Sequence, residues 1–178
     1  MKKIKLLIIL VLSLGIALTI NHINHNDSDI KAIDVQTIDP NTIFSLLTGN
    51  GSNFPDFYGG AFVSEDQSTL YIHVVGDLND ARQAIKELTQ ADNFVLLPAV
   101  YSYKELLSIS DLIYEKVLNN HDQYSYLNQL TWWGPNDQTN RFFVGILDIN
   151  QEKIDWFKSE VINHTAIDFE DGVEITLE

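Results

Sequence analysis

A block of sequence recurs 71 positions along the chain, and a repeat of that length constrains the fold to two versions of one supersecondary unit. Asp66-Gln67-Ser68 is answered by Asp137-Gln138-Thr139, and Val75-Gly76-Asp77-Leu78-Asn79 by Ile146-Leu147-Asp148-Ile149-Asn150. Four identities (Asp66/Asp137, Gln67/Gln138, Asp77/Asp148, Asn79/Asn150) fall in the fourteen columns of 66–79. At this offset the apolar stripes of the two helices that follow are out of phase by about one residue.

The first copy reads as two alternating strands, 59–63 and 69–75, joined by a polar turn at 64–68. Asp77 or Asn79 caps a helix to Gln90, with Leu78, Ala81, Ile85 and Leu88 at spacings of three and four. The apolar run 94–100 predicts a buried, central strand, in which Pro98 marks a bulge or an end. Ser102-Tyr103-Lys104-Glu105 is a capping box, and the helix behind it carries Leu106, Ile109, Ile113 and Val117 as far as Asn119-Asn120.

The second copy follows with strand 127–133, turn 134–140, strand 141–149 and a helix capped by Asn150 that carries Ile154, Phe157 and Val161. Strand 166–169, a turn at Asp171-Gly172 and a short alternating strand at 173–177 complete it. The order is ββαβ, a linking helix, then ββαβ. This predicts an α+β fold of largely antiparallel sheets with helices on one face, consistent with an internal duplication.

Ahead of this body, Met1-Lys2-Lys3-Ile4-Lys5 and the uncharged, mainly apolar run 6–20 form a leader. Fifteen residues span about 22 Å as a helix, short of the roughly 30 Å hydrocarbon core. Ala17-Leu18-Thr19 is the one small-x-small site, so 1–20 reads either as a cleaved signal peptide or as an uncleaved N-terminal membrane anchor. Residues 21–56 read as a polar spacer with a short helix, opened by Asp39-Pro40-Asn41 and ended at Gly49-Asn50-Gly51-Ser52; the domain proper is expected at 57–178.

Charge narrows the partners. The leader holds three of the 11 basic residues, which leaves 8 Lys and Arg against 25 Asp and Glu, a charge of −17. Such a body repels phosphate backbones, so nucleic acid and direct adsorption to an anionic membrane are excluded as partners. With no cysteine there is neither a lipid-modified anchor nor a disulfide framework. An exported, acidic, disulfide-free chain fits an extracellular protein, or one on the outer face of the cell membrane, of a Gram-positive type bacterium.

No catalytic motif is present. Gly-x-Ser-x-Gly is missing, and His73, His121 and His164 stand in no recognisable nucleophile context. His73 lies mid-strand and reads as a face or core histidine. His22 and His25, with Asp27 and Asp29, have helical metal-ligand spacing but sit in an unpatterned spacer. The acids of 168–172 lack the order of a calcium loop and read as a charged turn. The expectation is a non-enzymatic domain with no metal and no cofactor.

The aromatic residues are the best recognition candidates. Trp132 and Trp133 are adjacent in a strand and so point to opposite faces, one of them outward. Tyr126, Phe57 and Tyr58 add to the set, and Ile175 and Leu177 are the apolar positions of the terminal segment.

In order, Phe57-Tyr58-Gly59-Gly60-Ala61-Phe62, Leu70-Tyr71-Ile72-His73-Val74-Val75, Ser102-Tyr103-Lys104-Glu105-Leu106 and, after a Trp-containing strand, Thr139-Asn140-Arg141-Phe142-Phe143-Val144 carry a resemblance. Over 57–169 the body resembles the pro-regions of secreted bacterial chymotrypsin-fold serine proteases, the streptogrisin and α-lytic protease type. In that family the module precedes a protease domain, helps it fold and then inhibits it, with its C-terminal tail at the active site. Here the chain stops at Glu178 with no protease domain. The resemblance therefore implies action in trans on a separate secreted protease or other extracellular protein, as inhibitor or folding helper. The alternative is a surface-displayed adhesion or glycan- or protein-binding module that uses the exposed aromatic face.

Overall fold

The computed structural model describes residues 37–120 and 126–173. The leader, residues 21–36 of the spacer, the terminal strand expected at 173–177, and with it Ile175 and Leu177, lie outside the described residues, apart from Val173.

Local chemistry sets the helix starts. In α1 (Pro40–Thr48) proline occupies the first turn, the Asp39 carboxylate accepts the Thr42 N–H at 3.0 Å, and Gly49 ends the helix in a left-handed turn. In α2 (Leu78–Thr89) Asp77 is the cap, accepting from Asn79 and Asp80 at 2.8 and 3.1 Å. Ser102 Oγ accepts the Glu105 N–H at 3.2 Å at the head of α3 (Tyr103–Asn120). Asn150 accepts from Lys153 at 3.0 Å at the head of α4 (Gln151–Glu160).

Six strands form two three-stranded sheets. Sheet A has the order β1 (Tyr58–Val63), β2 (Leu70–Val74), β3 (Phe94–Pro98); sheet B has β4 (Leu130–Asn136), β5 (Arg141–Ile146), β6 (Ile167–Asp171). The α+β order ββαβ-α-ββαβ is the one expected. Each sheet, however, combines one antiparallel pair with one parallel pair. The helix between β2 and β3, like that between β5 and β6, is the crossover that parallel pairing requires. β3 is an edge strand and β2 the central one. The run 94–98 is apolar because both of its faces meet apolar neighbours: Phe94 is buried in the core, while Val95 lies level with Phe62 and Tyr71 on the other side.

Two cores result. Ile43, Leu47, Tyr58, Leu70, Ile72, Val74, Ile85 and Phe94 pack between sheet A and helices α1 and α2. Leu106, Ile109, Ile113, Phe142, Val144, Ile146, Phe157 and Ile167 pack between sheet B and helices α3 and α4. Helix α1, assigned from sequence to the spacer, is part of the packed body: Ile43 is fully buried in the first core.

The duplication is visible in the pairing, at a spacing of 72 rather than 71. Tyr58↔Val74, Ala61↔Ile72 and Val63↔Leu70 in the first hairpin become Leu130↔Ile146, Trp133↔Val144 and Pro135↔Phe142 in the second. The bulge between Tyr58 and Gly60 recurs between Leu130 and Trp132. The Asp-Gln pairs align at 71 because, within connections of equal length (64–69 and 136–141), the pair sits one position later in the first copy than in the second. That slip reverses every side chain in a strand and accounts for the mismatched stripes.

Candidate binding surface

Each sheet covers its core with one face and presents the other outward. On the outer face of sheet A, paired residues form two rungs, Phe62–Tyr71–Val95 and Gly60–His73–Leu97. Their counterparts on sheet B are Gly134–Phe143–Asp168 and Trp132–Gly145–Glu170. Large and small residues have changed places. In sheet A the ring of Phe62 stacks on Tyr71 at 5.0 Å and 6°, and Gly60 leaves the neighbouring rung open. In sheet B the indole of Trp132 covers Gly145 and stacks toward Phe143 at 6.5 Å, and Gly134 leaves its rung open.

The opening at Gly60 is filled from the other half by the β4–β5 turn. His73, 7% exposed, places Nε2 at 3.2 Å from the Gln138 carbonyl, while its Nδ1 has no partner. Asp137 lies so close that a Cβ on Gly60 would stand 2.9 Å from Oδ1, and Gly60 holds φ +121°, a conformation that excludes most side chains. Asp137 Oδ1 is itself buried without a hydrogen-bond partner. Burial pushes the Asp137 carboxyl up to about 6, with His73 partly opposing it. Burial also pushes the Tyr58 and Tyr103 hydroxyls above their ordinary range, and the Asp137 charge adds to both shifts.

Asn140 closes this junction. Its Nδ2 donates to the Gly59 and Tyr101 carbonyls at 2.8 and 2.7 Å, and its Oδ1 accepts the Val100 and Tyr101 N–H groups at 2.9 and 3.0 Å. Both donors and both lone pairs of the amide are used, at φ +53°, which asparagine tolerates better than most residues.

The sequence candidates separate on this frame. Trp132 is 40% exposed on the outer face of sheet B, and Trp133 packs against the second core. Tyr58 is 1% exposed, in ring contact with Phe54 and Tyr103, and Phe57 packs against the same core, so the Phe57-Tyr58 pair is structural. The Tyr126 hydroxyl donates to Glu152 at 2.8 Å and its ring meets Trp156 edge-on, which fastens the start of the second half to α4. The acidic run 168–172 is largely strand rather than turn: Asp168 receives Arg141 in a two-pronged pair at 2.9 and 2.8 Å, which holds its carboxyl below the usual range. Sequence reasoning missed Asn140, Asp137, Gly134 and Phe143. The one signal for them was the one-residue mismatch between the copies.

These two fused ββαβ units, joined through a helix and stitched by a polar turn, make one compact body with two cores. The Pro-like N-terminal domain matches residues 21–99 and the Pro-like C-terminal domain matches residues 104–172. The chain is a pro-region-like module carrying the two Pro-like domains in tandem, and the boundary between them falls where Asn140 holds Val100 and Tyr101. No curated protein matches the chain.

Proposed function

We infer that the chain is an extracytoplasmic, non-enzymatic module that binds a separate secreted serine protease, as inhibitor or folding helper. The observation that carries this reading is the tandem of Pro-like domains, laid one on each half of the body. Two features support it. Sheet B keeps an outer face with an exposed Trp132, and β6 is an edge strand whose end leads toward the tail containing Ile175 and Leu177. In the protease pro-regions that the sequence resembles, this tail is the segment that lies at the enzyme's active site.

The test mixes the purified chain with secreted chymotrypsin-fold serine proteases captured from culture supernatant or encoded beside it. Slow or tight inhibition of peptide hydrolysis, or a higher yield of active enzyme on refolding, is expected. If no protease is inhibited and no refolding yield rises, the reading is wrong.

A further inference from the structure

The two outer faces pose a question that the repeat itself answers. Each carries one glycine rung. The rung at Gly60 is filled by Asp137 and Gln138 of the other half, whereas at Gly134 no atom of the described residues beyond 133–135 comes within 4 Å of where a Cβ would stand. This open place, called the notch below, lies beside Phe143, the direct cross-strand partner of Gly134, and two residues along the same face from Trp132, whose ring stacks toward Phe143. In the first copy the same position holds Phe62, whose ring lies flat on Tyr71. The repeat thus displays the shape that this notch accepts.

We propose that the notch over Gly134 receives an aromatic side chain from the protein partner, stacked on Phe143 as Phe62 stacks on Tyr71. The surrounding charge fixes what accompanies that ring. Asp168, already joined to Arg141, and Glu170 stand on the same face one strand beyond Phe143, on β6, and the body as a whole is strongly acidic. A carboxylate such as Asp137, which seats at Gly60, is repelled here. A segment carrying an aromatic next to an Arg or Lys is matched, with the cation toward Glu170. The proposal names the contact face for the partner and rests on the reading of the chain as a protein-binding module.

The substitution Gly134→Phe plugs the notch with the residue that the first copy uses. Position 134 does not hold a positive φ, space for the side chain is open, and a strand favours phenylalanine over glycine, so the variant should melt no lower than wild type. The probes are N-acetyl-Phe-Arg-amide and N-acetyl-Phe-Glu-amide, titrated into the full chain while the backbone amides of Phe143 and Gly145, the cross-strand partners of Gly134 and Trp132, are followed by NMR.

Saturable shifts are expected with the Arg peptide, weaker binding of the Glu peptide, and at least about tenfold weakening in both Gly134→Phe and Trp132→Ala. Equal binding of the Arg peptide by wild type and Gly134→Phe overturns the proposal, as does a shift that does not saturate. Trp132→Ala serves if Gly134→Phe fails to fold. Inhibition of a chymotrypsin-fold protease separates the two readings. Equal inhibition by wild type and Gly134→Phe removes the notch but keeps the protease function. Peptide binding without any inhibition keeps the notch and removes that function.

Discussion

Replacing Asn140 with alanine removes four hydrogen bonds at once and leaves the Val100 and Tyr101 N–H groups and the Gly59 and Tyr101 carbonyls without their partner. At about 0.5–1.5 kcal/mol net per bond the loss is about 2–6 kcal/mol, centred near 4. Against a domain stability of about 5–15 kcal/mol, a loss of about 4 is roughly a quarter or more of the total. For a body of this size it corresponds to a fall in Tm of roughly 10–15 °C. Alanine also takes up the left-handed φ of +53° at a further cost of about 1 kcal/mol, which glycine avoids. Asn140→Gly should therefore lose the same bonds yet melt higher than Asn140→Ala. Urea titration followed by circular dichroism gives both differences, and hydrogen exchange should show the Val100 and Tyr101 amides opening first. An Asn140→Ala loss below about 1 kcal/mol, or an order in which glycine is worse than alanine, would refute the reasoning.

Three further outcomes are expected. The folded Asp137 carboxyl keeps its proton up to about 6 against an ordinary value of 3.8, so its contribution to stability is full below 3.8 and is lost as the pH rises through about 6. The gap is worth at most about 3 kcal/mol, and partial solvent contact reduces it to about 1.5. Asp137→Asn should remove that slope from a stability-against-pH curve and be the more stable protein at pH 7. Gly60→Ala should cost about 1–3 kcal/mol in urea titration, because the new methyl meets Asp137 at a φ that alanine disfavours. Ile43→Ala should cost about 2–5 kcal/mol while Leu46→Ala, at a site 51% exposed, changes little; a thermal melt of each checks that α1 belongs to the folded body.

What could be read from sequence was what is decided within a few residues. Asp39, Asp77, Ser102 and Asn150 all cap helices as their positions foretold, because a cap and its N–H partners lie within one turn. The outward tryptophan could not be chosen, since the choice depends on a bulge. Without the extra residue between Leu130 and Trp132, Trp132 would share the core face with Leu130; with it, Trp133 does. The parallel pairing and the edge position of β3 are decided between strands separated by whole helices. Asn140 reads locally as a turn residue, and its partners at Gly59 and at Val100 and Tyr101 are 81 and about 40 positions away. The repeat was legible, but its anchor was the Asp-Gln pair of the polar turn, which sits one position later in the first copy than in the second, so the offset it suggested was one residue short of the strand register.

The seating of one half's turn on the other half's sheet is a head-to-tail contact, a kind that continues from molecule to molecule when it meets no stop. The first copy exposes its own Asp66-Gln67 turn, so the donor for a next step is present on every chain. The acceptor is not. At the place on sheet B equivalent to Gly60 and His73 stand Trp132 and Gly145, and the indole already lies where a turn would land. The indole therefore fills the seat that a second turn would need, which confines this kind of contact to a single intramolecular step.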